Sequence, residues 1–486
     1  MDPIELKLMD AAGKAIADAI ERRWEKRPVM VLAGPGKNGG DGFVVACLLK
    51  KAGWSVTVCL LGDTASLTGE AAVQVKRWRA KVLTLDVALD ILTTTEALDD
   101  YLIVDALFGA GLSRPLNGLI KTLAQWLNAQ RLLMLAPSVV AVDVPSGMCG
   151  ETGQALQGIA FQADLTVTFT AAQPGHLLMP GRDLCGELVV ADIGLACETA
   201  TIHNSPELWG PAFPRLDSSG HKYSRGHLVV LGGERMMGAA HLASLAARRM
   251  GAGLVSLAIH EDNFALYASA VSPGTLLAPF KGGKGFRKIL SDPRKNACVI
   301  GPGAGLTKDT RKKVIAALKA KKACVLDADA LSTFQDDPEA LFTVLKQSGQ
   351  DVVLTPHGGE FRRLFADLAK KQEALGKREV TRRAAKRAGC VLIYKGPDSV
   401  IAAPDGRAVI ASNAPPTLAT AGTGDVLAGF VGAFLAQNMP AFEAAAAATW
   451  LHGQCAQAFG PGLIAEDLID ELPEALAALF DHLEAR

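Results

Sequence analysis

The 486-residue sequence contains no apolar run as long as the ~18 residues that a membrane-spanning helix requires. Its 50 acidic and 50 basic residues balance, so the total charge gives no attraction to nucleic acid or to an anionic membrane. Residues 1–20 have the apolar periodicity of an amphipathic helix and include acidic residues, which predicts a helix rather than a signal peptide. We therefore expect neither a nucleic-acid partner nor a membrane partner.

Cysteine is scarce and scattered. The nine cysteines are odd in number and form no C-x-x-C pair, which argues against a zinc site and suits a reducing compartment. We therefore expect a cytoplasmic protein. The sequence also lacks a G-x-x-x-x-G-K-[ST] motif, so any nucleotide would be bound without a P-loop.

The length of the chain predicts more than one domain. Short apolar runs that end in glycine or polar residues recur along both halves, as is typical of α/β sheets with helices between the strands. Between Cys197 and Ser219 this periodicity fades while prolines and serines accumulate, which predicts a linker. We therefore predict two α/β domains, residues 1–204 and residues 215–486.

Polar residues follow three predicted strands of the first half. One strand leads into the glycine-rich segment 34–42, and two others end at Asp105 and Asp143. Ligands of open α/β sheets bind beyond the carboxyl ends of the strands, so we expect these segments to meet. Asn38, Asp105 and Ser146 offer hard oxygen atoms, which predicts a site for an alkali or alkaline-earth cation.

The same glycine-rich segment also permits a different interpretation. Gly34, Gly36 and Gly39 match G-x-G-x-x-G, so a dinucleotide-binding Rossmann domain is a competing hypothesis. Asp41 argues against it, because it places a negative charge near the helix start, where a pyrophosphate would have to bind.

In the second half the most informative segment is residues 421–429, which reads A-G-T-G-D-V-L-A-G and runs into helical apolar spacing. Gly422 and Gly424 let backbone N–H groups converge at the helix start, where an anionic group such as a phosphate binds well. Asp425 is either a helix cap or a base that takes a proton from a hydroxyl in phosphoryl transfer. We favour the catalytic interpretation.

Several other predicted strands of this half end in small or polar residues, which predicts a ligand-binding edge. His357 follows one such strand and is either a hydrogen-bonded structural group or a ligand contact. Lys395, beside Gly396, is either a phosphate contact or a solvated strand end.

Taken together, these motifs resemble those of the bifunctional NAD(P)H-hydrate repair enzymes over nearly the whole chain. The first half is similar to the hydrate epimerase through K-N-G-G-D-G, V-D-A-L-F-G-A-G-L-S-R-P and V-D-V-P-S-G. The second half is similar to the ADP-dependent hydrate dehydratase through H-K, T-P-H-G-G-E, K-G and A-G-T-G-D-V-L-A-G. The resemblance implies a Rossmann-like αβα sandwich followed by a ribokinase-like α/β domain.

The resemblance also implies roles for individual residues. Asp143 and Asp425 would be catalytic, and potassium would be bound by Asn38, Asp105 and Ser146. The contacts to the hydrate in the first domain would be Lys37, Asn38, Gly39, Gly40, Asp41, Gly109, Ala110, Gly111, Leu112, Ser113, Arg114, Pro115 and Asp143. Those in the second domain would be Ala239, Ala240, Gly303, His357 and Asp425. The nucleotide contacts would be Lys395, Gly396, Pro397, Asp398, Ser399, Gly422 and Gly424.

The implied reactions are epimerisation of R- and S-NAD(P)HX and ADP-dependent dehydration of the S epimer to NAD(P)H, AMP and phosphate. Magnesium is expected with ADP, and a homo-oligomer is expected as the assembly. Two positions depart from the family pattern: Lys37 stands where many relatives have Asn, and the usual H-K-G reads His221-Lys222-Tyr223. Two competing hypotheses are a small-molecule kinase of the ribokinase-like fold and a non-catalytic scaffold.

Overall fold

The computed structural model describes residues 3–195, 202–215, 218–234 and 236–484. The chain divides into two compact units at residue 200, and each unit is described by itself. In both units a largely parallel sheet is covered by helices on two faces, which confirms the predicted α/β class. None of the helices in the described ranges combines the length and apolar character that would let it span a membrane.

The first unit contains one seven-stranded parallel sheet with the order β3-β2-β1-β4-β5-β6-β7. Its strands are β1 (Val29–Ala33), β2 (Val56–Leu60), β3 (Val82–Thr84), β4 (Leu102–Ala106), β5 (Ser138–Val142), β6 (Leu165–Phe169) and β7 (Glu187–Ala191). Its helices are α1 (Pro3–Glu21), α2 (Lys37–Lys51), α3 (Gly69–Arg77), α4 (Leu85–Thr94), α5 (Gly118–Leu132), α6 (Pro174–Leu177) and α7 (Gly181–Cys185).

The central strands of this sheet are buried on both faces, which explains why their sequences are continuous apolar runs rather than alternating patterns. The strand order reverses between β1 and β4, so the segments that follow these strands diverge and leave a crevice at the carboxyl edge. The predicted site residues of the first half therefore lie around this crevice.

The glycine-rich segment differs from the loop that the sequence predicts. Helix α2 begins at Lys37, so Lys37 to Asp41 are the first five residues of this helix. Glycine is required here because the start of α2 approaches β1 closely: a Cβ at Gly39 would overlap the backbone of Gly34. The site residues of this segment are consequently held on a helix rather than on a flexible loop. In the same unit, Pro174–Leu177 form the short helix α6.

The second unit contains a nine-stranded sheet with the order β10-β9-β8-β11-β12-β13-β14-β15-β16, in which only the last two pairings are antiparallel. Its strands are β8 (His227–Leu231), β9 (Leu254–His260), β10 (Leu276–Phe280), β11 (Ala297–Ile300), β12 (Ala323–Leu326), β13 (Val352–Leu354), β14 (Val391–Tyr394), β15 (Ser399–Ala402) and β16 (Ala408–Ala411).

Helices cover both faces of this sheet. They are α8 (Pro206–Trp209), α9 (Met237–Arg249), α10 (Phe264–Ala270), α11 (Gly282–Leu290), α12 (Lys308–Lys319), α13 (Asp329–Ser332), α14 (Pro338–Ser348), α15 (Gly358–Leu364), α16 (Ala366–Ala369), α17 (Gln372–Ala388), α18 (Thr423–Ala436), α19 (Ala441–Phe459) and α20 (Ala465–Glu484). One apolar core joins α9, α18, α19 and α20 to the sheet, and the other joins α11, α12, α14 and α17 to its opposite face.

The predicted linker, residues 197–219, differs from the structure over part of its length. Residues 202–215 belong to the second unit. Trp209 is fully buried and packs against Phe213 and Trp450, and the Asn204 amide donates to the carbonyl of Ala446 at 2.8 Å. These contacts have no periodic signal, which is why the sequence pattern missed them. Two other parts of the linker prediction, 197–201 and 216–217, fall outside the described residues.

Candidate active sites

In the first unit Asp105 and Ser146 form a buried pair at the carboxyl edge of the sheet. The Ser146 hydroxyl donates to Oδ1 of Asp105 at 2.6 Å, and the Ser146 backbone N–H donates to Oδ2 at 2.8 Å. Burial raises the pKa of Asp105 to about 6, although the hydrogen bonds from Ser146 oppose this shift. A cation beside this buried carboxylate would stabilise its ionised form.

Asn38 lies near a neighbouring carboxylate. Its amide donates to the carbonyl of Val142 at 3.2 Å, so its oxygen is left to face Gly109 and Asp143. A Cβ at Gly109 would lie 3.0 Å from Oδ2 of Asp143 and 3.2 Å from Oδ1 of Asn38, so glycine keeps this space open. The donor atoms of Asn38, Asp105 and Ser146 are all oxygens, which fits a potassium ion and does not fit zinc.

Asp143 is held in a strained conformation directly after β5, with a φ of 65°. The N–H of Ala110 donates to its Oδ2 and the hydroxyl of Thr168 donates to its Oδ1, both at 3.0 Å. The ring of His176 contacts the Asp143 backbone carbonyl at 2.8 Å through Nε2. The surrounding chain therefore fixes both the backbone and the carboxylate of this residue.

Asp41 is a second buried carboxyl group of this site, on helix α2. Burial raises the pKa of Asp41 well above its usual range, and the negative charge of Asp143 raises it further. Lys37 offers little compensation, because its ammonium is exposed and pairs with Glu5 at 2.9 Å. Lys37 is thus paired with Glu5, while burial beside Asp143 disfavours the ionised form of Asp41 and raises its pKa.

The other predicted contacts of the first unit surround these groups. Gly39 and Gly40 lie in the first turns of α2, and Ala110 reaches Asp143 through its N–H. The remainder of the segment forms a mostly exposed rim: Gly111, Leu112, Ser113, Arg114 and Pro115. Sequence reasoning missed Thr168, which lies in β6, and the run Q-P-G-H, which follows β6 and ends at His176.

In the second unit Asp425 lies in the first turn of α18, which begins after Gly422 at a φ of 90°. Burial raises the pKa of Asp425 to about 6; the charges of Asp327 and Asp329 raise it further, and Lys395 opposes them. Among the described residues, none donates a hydrogen bond to its carboxylate. A capping carboxylate gains donors and a lowered pKa, so this geometry favours the catalytic interpretation.

Lys395 follows β14 and lies at the same helix start. Its ammonium is 2.7 Å from Oδ1 of Asp327, which is 2% exposed. Burial lowers the pKa of Lys395, but the attraction of Asp327 outweighs this effect and the net shift is upward. Gly424 leaves room for this pair, since a Cβ there would lie 3.3 Å from the ammonium. A fixed cation and free N–H groups thus converge on one point.

Sequence reasoning missed the carboxylates around Lys395. Asp327 and Asp329 follow β12, and Glu360 is buried at the start of α15. Burial raises the pKa of Glu360, Lys395 lowers it and Asp327 raises it again, so these groups lie within electrostatic reach of one another. Only parallel pairing of β12, β13 and β14 brings them together. Their oxygens suit a magnesium ion that accompanies phosphates.

His357 has the structural role that the sequence left open. Its Nδ1 accepts from the Gly359 N–H at 2.9 Å, and its own N–H donates to Glu360 at 2.9 Å, so it caps α15. Its Nε2 is 3.4 Å from Glu360, and the side chain is exposed at the carboxyl edge. A hydrate contact at this ring is compatible with the cap.

A cavity of about 380 Å³ lies beside Lys395 and Gly424. Its lining includes the predicted nucleotide contacts Lys395, Gly396, Pro397, Ser399 and Gly424, together with Ala414, Pro415, Pro416, Leu418, Ala419, Thr423, Leu427, Thr449 and His452. Burial lowers the pKa of His452 to about 4, so its neutral ring contacts the carbonyl of Thr423 at 2.9 Å. The cavity has the apolar lining and few polar groups that a nucleobase requires.

Two predicted nucleotide contacts do not line this cavity. Asp398 pairs with the buried Lys377 at 2.6 Å. Gly422 approaches Leu242 and Ala465, where a side chain has no room. Asp398 and Gly422 therefore support the chain around the cavity rather than line it.

The predicted hydrate contacts on α9 and after β11 have little or no side chain, so they could contact a ligand mainly through backbone atoms. Ala240 is fully buried in the apolar core and Ala239 is nearly so. Gly303 has a φ of 63° and packs against the backbone of Met236. The neighbouring Gly238 faces open space, so a ligand could approach the chain there.

Comparison with known proteins adds to this geometry. Residues 227–474 match the family described as NAD(P)H-hydrate dehydratase, and residues 5–175 match the YjeF-related protein N-terminus. The chain is 35% identical to the bifunctional NAD(P)H-hydrate repair enzyme Nnr of Salinibacter ruber, over 97% of this chain and 92% of that protein. The corresponding Nnr of Moorella thermoacetica is 33% identical, over 98% and 93%.

Solved structures resemble the second unit. A ribokinase-like superfamily protein from Enterococcus faecalis is 24% identical with a TM-score of 0.51, over 59% of this chain and 98% of that one. This likeness confirms the ribokinase-like fold. An ADP/ATP-dependent NAD(P)H-hydrate dehydratase from Bacillus subtilis, co-crystallised with ATP and Mg²⁺, is 28% identical with a TM-score of 0.49, over 57% and 99%.

Proposed function

Because this chain belongs to the family of bifunctional NAD(P)H-hydrate repair enzymes, we propose that its first unit epimerises hydrated NAD(P)H and its second unit dehydrates the S epimer with ADP. One observation supports the dehydratase half above the others. Asp425 combines a pKa of about 6 with a position beside Lys395, at the start of α18 and next to the cavity. A base, a phosphate-binding helix start and a nucleobase pocket are the parts that this reaction needs.

The dehydration uses these parts in sequence. Asp425 accepts the proton of the hydroxyl on carbon 6 as the hydroxyl oxygen attacks the terminal phosphoryl group of ADP, and AMP departs. The N–H groups of α18 and the Lys395 ammonium stabilise the charge on the transferred group. The bond between carbon 6 and oxygen then breaks as phosphate leaves, and loss of a proton from carbon 5 restores the ring double bond.

Magnesium has suitable partners in this site. Asp327 and Glu360 present carboxylate oxygens near Lys395, and these residues would hold the ion together with the nucleotide. The ion would neutralise phosphate charge. Asp327 also orients Lys395 directly, so it has a role even before a nucleotide binds.

For the epimerase we propose an acid–base pair. Asp41, whose pKa is raised well above its usual range by burial and by the charge of Asp143, serves as the proton donor to the hydroxyl that leaves carbon 6. Asp143, fixed by Ala110 and Thr168, accepts the proton of the water that returns on the opposite face. Two carboxyl groups can perform both steps, one as the proton donor and the other as the proton acceptor.

Potassium would be held by Asn38, Asp105 and Ser146, whose oxygens suit it. Its positive charge would favour ionised Asp105, whose pKa is otherwise raised by burial to about 6.

The experiment that tests the function mixes the protein with hydrated NADH, ADP and Mg²⁺ and follows the absorbance of reduced nicotinamide. We expect full recovery from a mixture of epimers and no recovery without ADP. A stable phosphorylated product without recovery would indicate a small-molecule kinase. No reaction with either epimer would indicate a non-catalytic scaffold.

A further inference from the structure

The balanced total charge of the chain conceals a strongly basic segment. Between residues 281 and 322, thirteen residues are basic and two are acidic. This segment contains α11 and α12, which lie side by side on one face of the second sheet. Neither the catalytic residues nor the nucleotide cavity uses its side chains.

A groove of about 710 Å³ lies between the C-terminal halves of these two helices. We name it the cationic groove; its lining includes Arg287, Lys312, Lys319 and Lys322 above an apolar floor that contains Leu290 and Ile315. No acidic side chain of the described residues lines it. Such a combination suits a ligand that carries both concentrated negative charge and an uncharged part.

The cations of the groove lack the partners that neighbouring cations have. Lys313 pairs with Asp309 at 2.7 Å, and Arg294 pairs with Asp292 at 2.9 Å. These pairs engage both acidic side chains of the segment. Arg287, Lys312 and Lys319 have no ion pair with any described residue.

Lys322 provides an independent observation. The residue as a whole is 7% exposed, yet its ammonium donates only to the backbone carbonyl of Asp292, at 3.1 Å. The preceding residue, Lys321, adopts a strained φ of 55°, which turns the chain between α12 and β12. A buried lysine without a carboxylate is costly, and an anion in the groove would offset that cost.

The groove is separate from the catalytic site. Lys322 directly precedes β12, whereas Asp327, which orients Lys395 at the active site, directly follows it. Because β8, β11 and β12 are parallel, the groove lies at the amino edge of the sheet and the active site lies at the carboxyl edge. A ligand in the groove would therefore not be the reacting nucleotide.

We propose that the cationic groove binds a small molecule that contains two or more linked phosphate groups. The phosphates contact the four cations, and any uncharged part of the molecule rests on Leu290 and Ile315. The finite volume of the groove and its apolar floor favour a small ligand over a nucleic-acid polymer, whose contacts would extend along the surface.

The test uses inorganic tripolyphosphate as the probe, with calorimetry at low ionic strength. The groove variant combines Arg287→Gln, Lys312→Gln and Lys319→Gln. The matched control combines Lys284→Gln, Lys288→Gln and Lys308→Gln, which removes the same charge from the same two helices outside the groove. We expect the full-length protein to bind the probe, the groove variant to bind it about tenfold more weakly or worse, and the control to bind it within about twofold.

Three outcomes would overturn the proposal: absence of binding by the unaltered protein, equal loss in both variants, or full retention in the groove variant. Melting temperature and dehydratase rate of the groove variant should match those of the unaltered protein, which separates lost binding from lost folding. Titration with ATP distinguishes the source of the phosphates. If the unaltered protein binds ATP at two sites and the groove variant at one, the ligand of the groove is a nucleotide. If both proteins bind ATP at one site, the ligand is inorganic polyphosphate. If tripolyphosphate does not bind but an RNA oligonucleotide binds and requires the groove cations, the proposal is wrong and the groove is a nucleic-acid site.

Discussion

The ammonium of Lys395 lies 2.7 Å from Oδ1 of Asp327, and these two residues follow strands that are not adjacent in the sheet. Strand β13 lies between β12 and β14, so the ion pair of Lys395 and Asp327 crosses the carboxyl end of β13. Gly424 lies against this pair from the start of α18. The ion pair thus fixes a positive charge where the helix offers its free N–H groups, and Asp425 lies beside both.

Asp425→Asn should abolish ADP-dependent recovery of NADH while epimerisation continues. Asn keeps the shape of the side chain but cannot accept the hydroxyl proton, and general-base contributions are roughly a hundred- to ten-thousand-fold in rate. Single-turnover rates with the pure S epimer measure the loss. If most of the rate remains, Asp425 is not the base, and another group near His357, such as Glu360, accepts the proton.

The same substitution should also stabilise the protein at neutral pH. The pKa of Asp425 is raised from 3.8 to about 6 in the folded state, so folding is opposed while the carboxylate is ionised. This destabilisation is present above about pH 6 and disappears as the pH falls below 4, where both states are protonated. The melting temperature of Asp425→Asn should be higher than that of the unaltered protein at pH 8 and equal to it near pH 4. A helix cap would give the opposite sign at pH 8.

Gly424→Ala should weaken nucleotide binding with little effect on folding. The new Cβ would lie 3.3 Å from the Lys395 ammonium and would crowd the space for a phosphate. We expect KM for ADP to rise about tenfold or more, because one displaced charged contact is worth about 1.5–3 kcal/mol. Gly283→Ala on α11 is the control, since it lies in an early helical turn far along the chain from the site. An unchanged KM would show that the phosphate does not use this space.

Asp105→Asn should stop epimerisation and leave dehydration of the pure S epimer intact. The substitution removes the buried charge that would hold potassium, and it alters the hydrogen bonds from Ser146. Chiral analysis of the two hydrate epimers measures the exchange rate, with and without potassium. Asp86→Asn, at an exposed position of the same unit, is the control. Loss of both activities would mean that Asp105 maintains the fold instead.

The place at which the chain is divided should decide whether the second unit folds alone. A fragment that begins at Thr201 keeps Asn204, Trp209 and Phe213, whereas a fragment that begins at Leu216 loses them. Removal of a fully buried tryptophan costs roughly 3 kcal/mol or more. The longer fragment should unfold cooperatively and retain dehydratase activity, and the shorter one should be markedly less stable in urea. Equal stabilities would show that residues 202–215 are only a linker.

The sequence alone determined the features that are encoded locally. The start of α18 and the polar residues after β4 and β5 could be predicted, because each depends on glycine or a polar residue next to an apolar run. Strands β10, β15 and β16, at the two ends of the second sheet, were not predicted, since their short sequences acquire strand geometry only through pairing. The helical start at Lys37 was also missed, because repeated glycines are typical of loops until close packing requires them.

The tertiary structure decided which groups act on one another. Asp327, Glu360 and Lys395 are far apart in sequence and meet only because β12, β13 and β14 are parallel neighbours. The raised pKa of Asp425 depends on burial and on charges from other strands, neither of which a motif contains. The same holds for the cationic groove: the chain balances 50 acidic and 50 basic residues, and only the packing of α11 against α12 concentrates unpaired positive charge at one edge of the sheet.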